Sequence, residues 1–243
     1  MEGTIKSGRS HASADVQQRV VKAEKIARLV GLDERLGSRC ELLEIGTGSG
    51  VMAAWFAGRG CDVTSVDVVD ERVAREGFAF KQVNGVRLPF ADRSFDLVVS
   101  NHSIEHVGDH EAQQAHLLEM ARVCRNDGTA YLAVPNRWML VEPHYGLVFL
   151  SWLPRGLADF YVRLAGRGTA YDCRPLSLPE LSRMLGNAKW RYEQQVKTAV
   201  ESLIATERAS PAWLRYAVRL LPDFTYHVLA PIFPTLIFVL RKS

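Results

Sequence analysis

The amino-acid sequence predicts an α/β fold with a doubly wound, mostly parallel seven-stranded sheet, an antiparallel edge strand and an aromatic-rich helical cap. From residue 40 to residue 136, short apolar runs typical of buried strands alternate with segments of helical spacing. Such alternation produces a parallel sheet covered by helices on both faces, with ligand sites at the carboxyl ends of the strands. Beyond Asn136 the chain becomes rich in Trp, Phe, Tyr, Leu and Pro, which indicates a cap inserted above the sheet.

The length and composition fit a single domain. With 243 residues and 47% hydrophobic content, the chain is long enough for one α/β domain and a cap. We expect an N-terminal lid helix within residues 1–35, a ligand-binding core at 36–136, and cap insertions at 137–175 and 198–234. The formal charge of +3, from 30 basic and 27 acidic residues, is too small and too scattered to indicate a nucleic-acid-binding surface.

Cysteine use indicates reduced thiols in a cytoplasmic protein. Cys40, Cys61, Cys124 and Cys173 are far apart and show no C-x-x-C spacing. The segment from Met1 to Ser13 has no apolar core, so we do not expect a secretory signal there.

The first elements are a helix and a strand that ends in a glycine-rich turn. Helical spacing of apolar residues from Val16 to Leu32 predicts the lid helix. The run ELLEIGTGSG, from Glu41 to Gly50, then places three glycines at alternate positions, so the backbone can turn tightly and a ligand can approach it closely. A dinucleotide-binding G-x-G-x-x-G motif would need a glycine where the chain has Val51. The acidic Glu44 suits a ligand that carries an ammonium group better than one that carries a pyrophosphate.

The second strand ends in a candidate ribose ligand. The run DVTSVD alternates β-branched residues and ends at Asp67. Its distance from Gly50 is near the offset of roughly 20 residues at which an acid meets ribose hydroxyls.

Further strands follow in three segments. The first is QVNGVRLPF, from Gln82 to Phe90, and the second is FDLVVSNHSIEHV, from Phe95 to Val107. The third is ARVCRNDGTAYLAVPNRW, from Ala121 to Trp138, in which Asn-Asp-Gly predicts a turn at 125–128 and the fifth strand follows at 131–134.

These ordered segments resemble the motifs of the S-adenosylmethionine (SAM)-dependent methyltransferases with a Rossmann-like, class I fold. The family patterns are E-x-G-x-G-x-G, D-x-x-x-L-P-F, F-D-x-V-x-x-x-x-x-x-E-H and L-R-P-G-G. The resemblance covers roughly Val20 to Asn136, and more weakly Thr235 to Arg241, which looks like the family's closing edge strand. Asn84 stands where the family usually has Asp, so an uncharged amide oxygen would accept the bond from adenine, and we expect somewhat weaker cofactor binding.

The resemblance implies SAM as cofactor, S-adenosylhomocysteine as product, and 36–136 as the SAM-binding core of a methyltransferase domain. The cofactor-binding residues that it implies are Glu44, Gly46, Thr47, Gly48, Gly50, Asp67, Val68, Asn84, Gly85 and Asn101.

The cap is expected to recognise the acceptor. Its aromatic density suits an aromatic or lipid-like molecule, with Trp138, Glu142 and Tyr145 as candidate contacts. The run from Phe224 to Leu240 has no charged residue but contains two prolines, so we expect a loop and a buried strand there, not a membrane span. Apolar residues within Trp152 to Arg167 can share one helical face. We favour a helix folded over the pocket there, and peripheral docking on anionic lipid is the alternative.

Candidate catalytic residues are the histidines His102, His106 and His144. SAM carries an activated methyl group, so the protein must mainly orient the acceptor, but a hydroxyl acceptor also has to lose a proton. His102, His106 and His110 recur every four residues, as metal ligands on one helix would. Because Asp109 is a typical helix start, we do not expect a shared helix or a metal site.

The sequence therefore predicts a methyltransferase for a small or lipid-like molecule, with oxygen as the favoured acceptor atom. Nitrogen or carbon methylation and a non-catalytic SAM-binding module are the alternatives. Nicotinamide-dependent oxidoreduction is disfavoured by the spacing of the glycines. The oligomeric state is not indicated.

Overall fold

The computed structural model describes residues 16–32, 40–198, 222, 225–226 and 233–243. The strands are β1 Cys40–Ile45, β2 Cys61–Asp67, β3 Ala79–Gln82, β4 Phe95–Asn101, β5 Cys124–Pro135, β6 Val141–Glu142, β7 Leu147–Val148, β8 Trp190–Gln194 and β9 Thr235–Lys242. The helices are α1 Val16–Leu29, α2 Val51–Ala57, α3 His110–Val123, α4 Arg155–Leu164 and α5 Leu178–Asn187, with 3-10 turns at Ile104–His106 and Leu150–Trp152.

The predicted fold class is confirmed. Seven strands form one sheet in the order β3-β2-β1-β4-β5-β9-β8. The strands from β3 to β5 pair in parallel, whereas β9 runs antiparallel to both β5 and β8. We expected the antiparallel strand at 235–241 to lie at the edge of the sheet. This strand, β9, lies one place further in, and the edge strand β8 pairs antiparallel with it.

Two apolar layers enclose the sheet, because its central strands are buried on both faces. Leu42, Leu97 and Tyr131 point to the layer of α1 and α2, and Leu43 and Val98 point to the opposite layer. Each of these side chains is fully buried and contributes about 1.5–3 kcal/mol if aliphatic. A strand buried on both faces has apolar residues at consecutive positions, as in Leu42–Leu43 of β1 and Leu97–Val99 of β4.

The expected start of the fifth strand was wrong. The strand begins at Cys124, and 125–128 forms an irregularity within it, not a turn before it. The pairing with β4 shifts from Phe95↔Cys124 to Leu97↔Thr129 across this segment. Gly128 is required there, since a β-carbon would lie 2.8 Å from Cys124 Sγ.

Parts of the expected organisation fall outside the described residues. Helix α1 confirms helical structure within the proposed lid segment 1–35, of which residues 16–32 are described. The insertion at 198–234 lies almost entirely outside the described residues, as does most of the apolar run before β9. The expected buried strand at 236–240 is confirmed as part of β9. Among the described residues, no helix combines the length and hydropathy needed to cross a bilayer.

The cap around α4 has a small core of its own. Tyr145, Tyr171 and Cys173 pack there against Ala158 and Val162 of the helix. Leu157, Phe160 and Leu164 are exposed, whereas Tyr161 is partly buried against this core. The helix therefore packs through Ala158, Val162 and Tyr161, and most of the apolar face that the sequence suggested is turned outward.

We predict that Gly50→Ala destabilises the protein by about 1–3 kcal/mol more than Gly60→Ala. Both glycines have positive φ, at 77° and 90°, so both alanines meet the same left-handed strain. Only the alanine at 50 also collides, since its β-carbon would lie 2.2 Å from the Ala74 carbonyl oxygen, whereas nothing lies within 4 Å at 60. Denaturant unfolding of both variants measures the difference. Equal losses of stability would contradict the packing of this turn.

Candidate active site

The register of the sheet places the predicted ligand-binding segments side by side. Ile45 at the end of β1 pairs with Val66 of β2 and with Ser100 of β4. Neighbouring strands are about 4.8 Å apart, so the residues after these partners form one edge. They are Gly46, Asp67 and Asn101.

Backbone bonds hold the glycine turn over this edge. The Gly46 amide donates to the Val66 carbonyl oxygen at 2.9 Å, and the Gly48 amide donates to Asp67 Oδ2 at 2.9 Å. Gly46, Gly48 and Gly50 all have positive φ, which glycine adopts at little cost. Thr47 is almost fully buried within the turn.

The absence of a β-carbon at Gly46 brings the loop after β4 onto the turn. Ser103 Oγ donates to the Ile45 carbonyl oxygen at 2.9 Å. A β-carbon on Gly46 would lie only 2.0 Å from Ser103 Oγ, so a larger residue at 46 would collide with Ser103. The loop that contains the candidate histidines is therefore fixed beside the cofactor rim.

Glu44 is a buried side chain whose carboxyl group could pair with a ligand cation. It is 1% exposed, and within the described part of the chain neither carboxylate oxygen accepts a hydrogen bond. Burial raises the pKa of Glu44 to about 8, and the nearby Arg19 opposes this only in part. A ligand ammonium group would supply the missing partner, so the rim fits the amino-acid end of SAM.

Asp67, the predicted ribose ligand, is held by two backbone amides. Its carboxylate accepts bonds from the Gly48 amide at 2.9 Å and the Val68 amide at 2.8 Å. A carboxylate has about four acceptor sites, so it retains capacity for two hydroxyls. Val68 is 55% exposed at the strand end and offers an apolar surface to a ligand.

The remaining predicted cofactor residues lie on the same side of the sheet. Asn84 and Gly85 form a loop shortly after β3, and Gly85 has positive φ with no atom within 4 Å of its missing β-carbon. The last paired residue of β3, Gln82, is level with Asp67. Asn101 ends β4 in a half-buried position. These placements agree with the predicted roles, which remain predictions.

His144 and Glu142 form a hydrogen-bonded pair in the cap. His144 Nδ1 lies 2.8 Å from Glu142 Oε1, and Glu142 Oε2 accepts from the Tyr145 amide at 2.7 Å. Glu142 is 1% exposed, so its contacts orient His144 and leave little surface for an acceptor. Tyr145 Oη donates to Asp172 Oδ1 at 2.7 Å, which favours a packing role. Trp138 is 39% exposed and stays a candidate acceptor contact.

His102 and His106 lie beside the buried carboxylate of Glu105, and His106 also contacts the cap. His102 Nδ1 lies 3.4 Å from Glu105 Oε1, and His106 Nε2 lies 4.0 Å from the same atom. The rings of His106 and His144 meet edge to face, with centroids 5.6 Å apart. Cys173 Sγ is 3.9 Å from His106 Nδ1 and 3.8 Å from His144 Nδ1. Three distant segments therefore meet in one cluster.

The charges of this cluster favour a base over a nucleophile. The hydrogen bond to Glu142 raises the pKa of His144 above its ordinary value. Burial, followed by the charges of Glu142, Asp172 and Glu105, raises the pKa of Cys173 far above that of a free thiol. Cys173 is thus held as a neutral thiol, which is a poor nucleophile.

The three regularly spaced histidines do not share a helix. His102 has a positive φ of 55° in a bend, and His106 lies in a 3-10 turn. Asp109 caps α3 by accepting from the Ala112 amide at 3.0 Å, so His110 begins a new helix as expected. A different set, Glu105, His106 and His144, offers ligand atoms within 4.8 Å of one another and could hold a metal ion.

Sequence reasoning missed Ser103, Glu105 and Cys173 as parts of the site. Glu105 is the Glu of the family pattern E-H, so its position was visible, although its burial was not. Cys173 is 67 residues from His106 along the chain, and no local pattern connects them.

The sequence of the chain is similar to that of known methyltransferases. Residues 43–132 match the family model described as a methyltransferase domain. The chain is 31% identical over 174 residues to a demethylmenaquinone methyltransferase of Beutenbergia cavernae, and the match covers 69% of each protein. It is 25% identical over 138 residues to a ubiquinone biosynthesis O-methyltransferase of Rickettsia conorii, covering 51% of this chain and 45% of that protein. The chain thus spans less than half the length of the Rickettsia enzyme.

A solved structure shares the fold. It is 1,6-didemethyltoxoflavin-N1-methyltransferase of Burkholderia thailandensis, with bound 1,6-didemethyltoxoflavin and S-adenosylhomocysteine. The TM-score is 0.53 at 18% identity, over 96% of this chain and 84% of that chain. The chain belongs to the SAM-dependent methyltransferases of class I fold, and its cofactor is SAM.

We predict that SAM binding at pH 7 releases close to one proton from Glu44. With a pKa of about 8, Glu44 is mostly protonated before binding, and pairing with the ammonium group favours its ionised form. Calorimetry in buffers of different ionisation enthalpy measures the release. Glu44→Gln should abolish it and weaken binding, whereas the matched variant Glu41→Gln on the same strand should keep it. Unchanged proton release in Glu44→Gln would rule out this pairing.

We expect Asp67→Ala to raise the Kd for SAM about tenfold or more. The variant loses a hydrogen bond to a charged group, which costs about 1.5–3 kcal/mol, and it also frees the amides of Gly48 and Val68. Asp67→Asn retains one oxygen and should show a smaller effect. Isothermal titration gives both constants, and an unaltered Kd in Asp67→Ala would refute the ribose role.

Proposed function

We propose that this methyltransferase transfers the methyl group of SAM to an oxygen atom of a small acceptor, with His144 as general base. The observation that carries the proposal is the 2.8 Å bond between His144 Nδ1 and Glu142 Oε1. A hydroxyl acceptor must lose a proton during transfer, and a histidine held by a carboxylate accepts one well near neutral pH. SAM supplies an already activated methyl group, so the protein contributes orientation, exclusion of water and removal of this proton.

The bond to Glu142 also determines which nitrogen acts. A carboxylate oxygen accepts, so His144 Nδ1 carries the proton and Nε2 keeps its lone pair. The side chain is 20% exposed, which leaves part of the ring open to an acceptor. Glu142 is a positioning residue in this scheme, because it acts through His144.

His102 and His106 are the other candidates for the base. Both face Glu105, and they lie in the loop that Ser103 fixes to the cofactor rim. His144 is favoured because its Nδ1 lies 2.8 Å from a carboxylate oxygen of Glu142, whereas the distances from His102 and His106 to Glu105 Oε1 are 3.4 and 4.0 Å.

We propose an aromatic or lipid-like acceptor. The cap is rich in aromatic residues, and aromatic side chains pack flat apolar rings well. The names of two relatives point the same way, since both concern quinones, and one is an O-methyltransferase. Nitrogen or carbon methylation of a similar acceptor, and SAM binding without transfer, remain the alternatives.

The same proposal includes the organisation and location of the protein. We propose a single methyltransferase domain with 137–175 as an acceptor cap. Cys40, Cys61, Cys124 and Cys173 are buried and none of the four forms a disulfide, which supports a reducing, cytoplasmic setting. We expect a small-molecule acceptor and no nucleic-acid partner, because the net charge is small.

The test is the mass of the product after incubation with SAM and a panel of phenols, hydroquinones, amines and carbon acids. A gain of one methyl group on a hydroxyl supports the proposal, and methylation only at nitrogen or carbon would replace it with the alternative. No product from any acceptor, with SAM bound, would favour a binding module. The assay is repeated with a chelator, because loss of turnover would favour a metal at Glu105, His106 and His144.

For the base, we predict that His144→Ala lowers kcat about 100-fold or more without changing the Kd for SAM. The rate should rise with pH through the pKa of His144, since only the neutral ring accepts a proton. Glu142 raises this pKa, so Glu142→Gln should move the acidic limb of the kcat profile to lower pH. His110→Ala, at the start of α3, is the matched control. A limb that stays in place in Glu142→Gln would contradict the pairing.

A further inference from the structure

Exposed apolar side chains are concentrated on the cap. Of the 16 large hydrophobic residues that are exposed among the described residues, nine lie between residues 138 and 164. We refer to these nine as the cap surface. They are Trp138, Leu140, Val141, Val148, Phe149, Trp152, Leu157, Phe160 and Leu164. Contiguous apolar patches on a protein surface mark sites of interaction.

Direct contacts join the first part of the cap surface. The ring of Trp152 packs edge to face against Trp138 at 5.6 Å and against Phe149 at 5.0 Å between centroids. The indole of Trp152 is fixed, because its Nε1 donates to the Met139 carbonyl oxygen at 2.9 Å. The Phe149 amide donates to the Leu140 carbonyl oxygen at 2.7 Å. These aromatic residues therefore form one ordered patch.

Helix α4, which begins shortly after the turn that contains Trp152, carries three more exposed apolar residues. Leu157 and Phe160 are each 57% exposed and Leu164 is 72% exposed, whereas Ala158 and Val162 are fully buried. The spacing 157, 160, 164 places the three exposed residues on one helical face. A helix that only packs on its own domain would bury this face. Here it is turned outward.

Positive charge accompanies this apolar surface. Residues 137–167 contain four arginines, at 137, 155, 163 and 167, and two acidic residues, Glu142 and Asp159. Glu142 is buried with His144, and Asp159 accepts from the Tyr171 amide at 2.8 Å. Arg137 lies 3.8 Å from Glu180 Oε1, so the outward charge is mainly that of Arg155, Arg163 and Arg167.

We propose that the cap surface docks on a lipid bilayer that contains anionic headgroups. Protein surfaces that bind the boundary between headgroups and acyl chains combine tryptophan, phenylalanine and leucine with flanking arginines. A two-fold contact between copies of this chain would instead bring the same arginines together. The inference does not rest on the identity of the acceptor.

Docking would place the candidate base close to the bilayer. Strands β6 and β7 pair Val141 with Val148 and Glu142 with Leu147. Val141 and Val148 are exposed, whereas Glu142 and Leu147 are buried. One side of this hairpin thus belongs to the cap surface, and the other side holds Glu142 against His144. An acceptor that leaves the bilayer here would have a short path to the site.

Flotation with lipid vesicles tests the proposal. The full chain should float with vesicles of phosphatidylcholine and phosphatidylglycerol, and much less with phosphatidylcholine alone. The double variant Phe160→Ser, Leu164→Ser should lose about tenfold or more of this binding. Leu118→Ser, an exposed apolar residue of α3, is the matched control and should bind as the unaltered chain does.

A charge variant separates the two contributions. Arg155→Ala with Arg163→Ala should lower binding to the anionic vesicles and make it less sensitive to salt. The Kd for SAM, measured in solution, should stay the same in every variant and shows that each is folded. The proposal is overturned if the unaltered chain stays unbound, if the double variant binds equally well, or if light scattering shows that the double variant breaks a dimer apart.

Discussion

The close approach of Ser103 to Gly46 connects the two halves of the site. Because Gly46 has no β-carbon, Ser103 Oγ reaches the Ile45 carbonyl oxygen at 2.9 Å. The loop after β4 is therefore fixed on the glycine turn, and His102, Glu105 and His106 follow within it. A larger residue at 46 would separate the cofactor rim from the histidines, and the rest of the arrangement depends on their being adjacent.

The cap completes the site from the other side. The Arg174 amide donates to the Glu105 carbonyl oxygen at 2.9 Å, and Gln113 Nε2 donates to the Arg174 carbonyl oxygen at 2.8 Å. These bonds hold the segment around Cys173 against the loop after β4. The buried carboxylates of Glu105 and Glu142 thus face the three candidate histidines, whose role as general base stays a proposal.

The cofactor was predicted correctly from the sequence, whereas the contact of the histidines with Cys173 was not predicted, and there is a physical reason for this difference. The glycine turn and Asp67 follow strands in a short stretch of chain, and the parallel sheet itself brings strand ends together. The contact of His106 with Cys173 joins residues far apart in the sequence, so no local period indicates it. Likewise, helical spacing predicted the apolar face of α4, but the orientation of the helix depends on Ala158, Val162 and Tyr161, which pack on the cap core. The irregularity within β5 was missed because Asn-Asp-Gly is as compatible with a bulge as with a turn.

The burial of Glu44 has a consequence for turnover. An ammonium group is common to the methyl donor and to the demethylated product, so a carboxylate that recognises it holds both equally well. Such equal binding retains S-adenosylhomocysteine after the reaction and does not accelerate the chemical step. If Glu44 binds the ammonium group, discrimination between the two molecules would depend on residues near the sulfur.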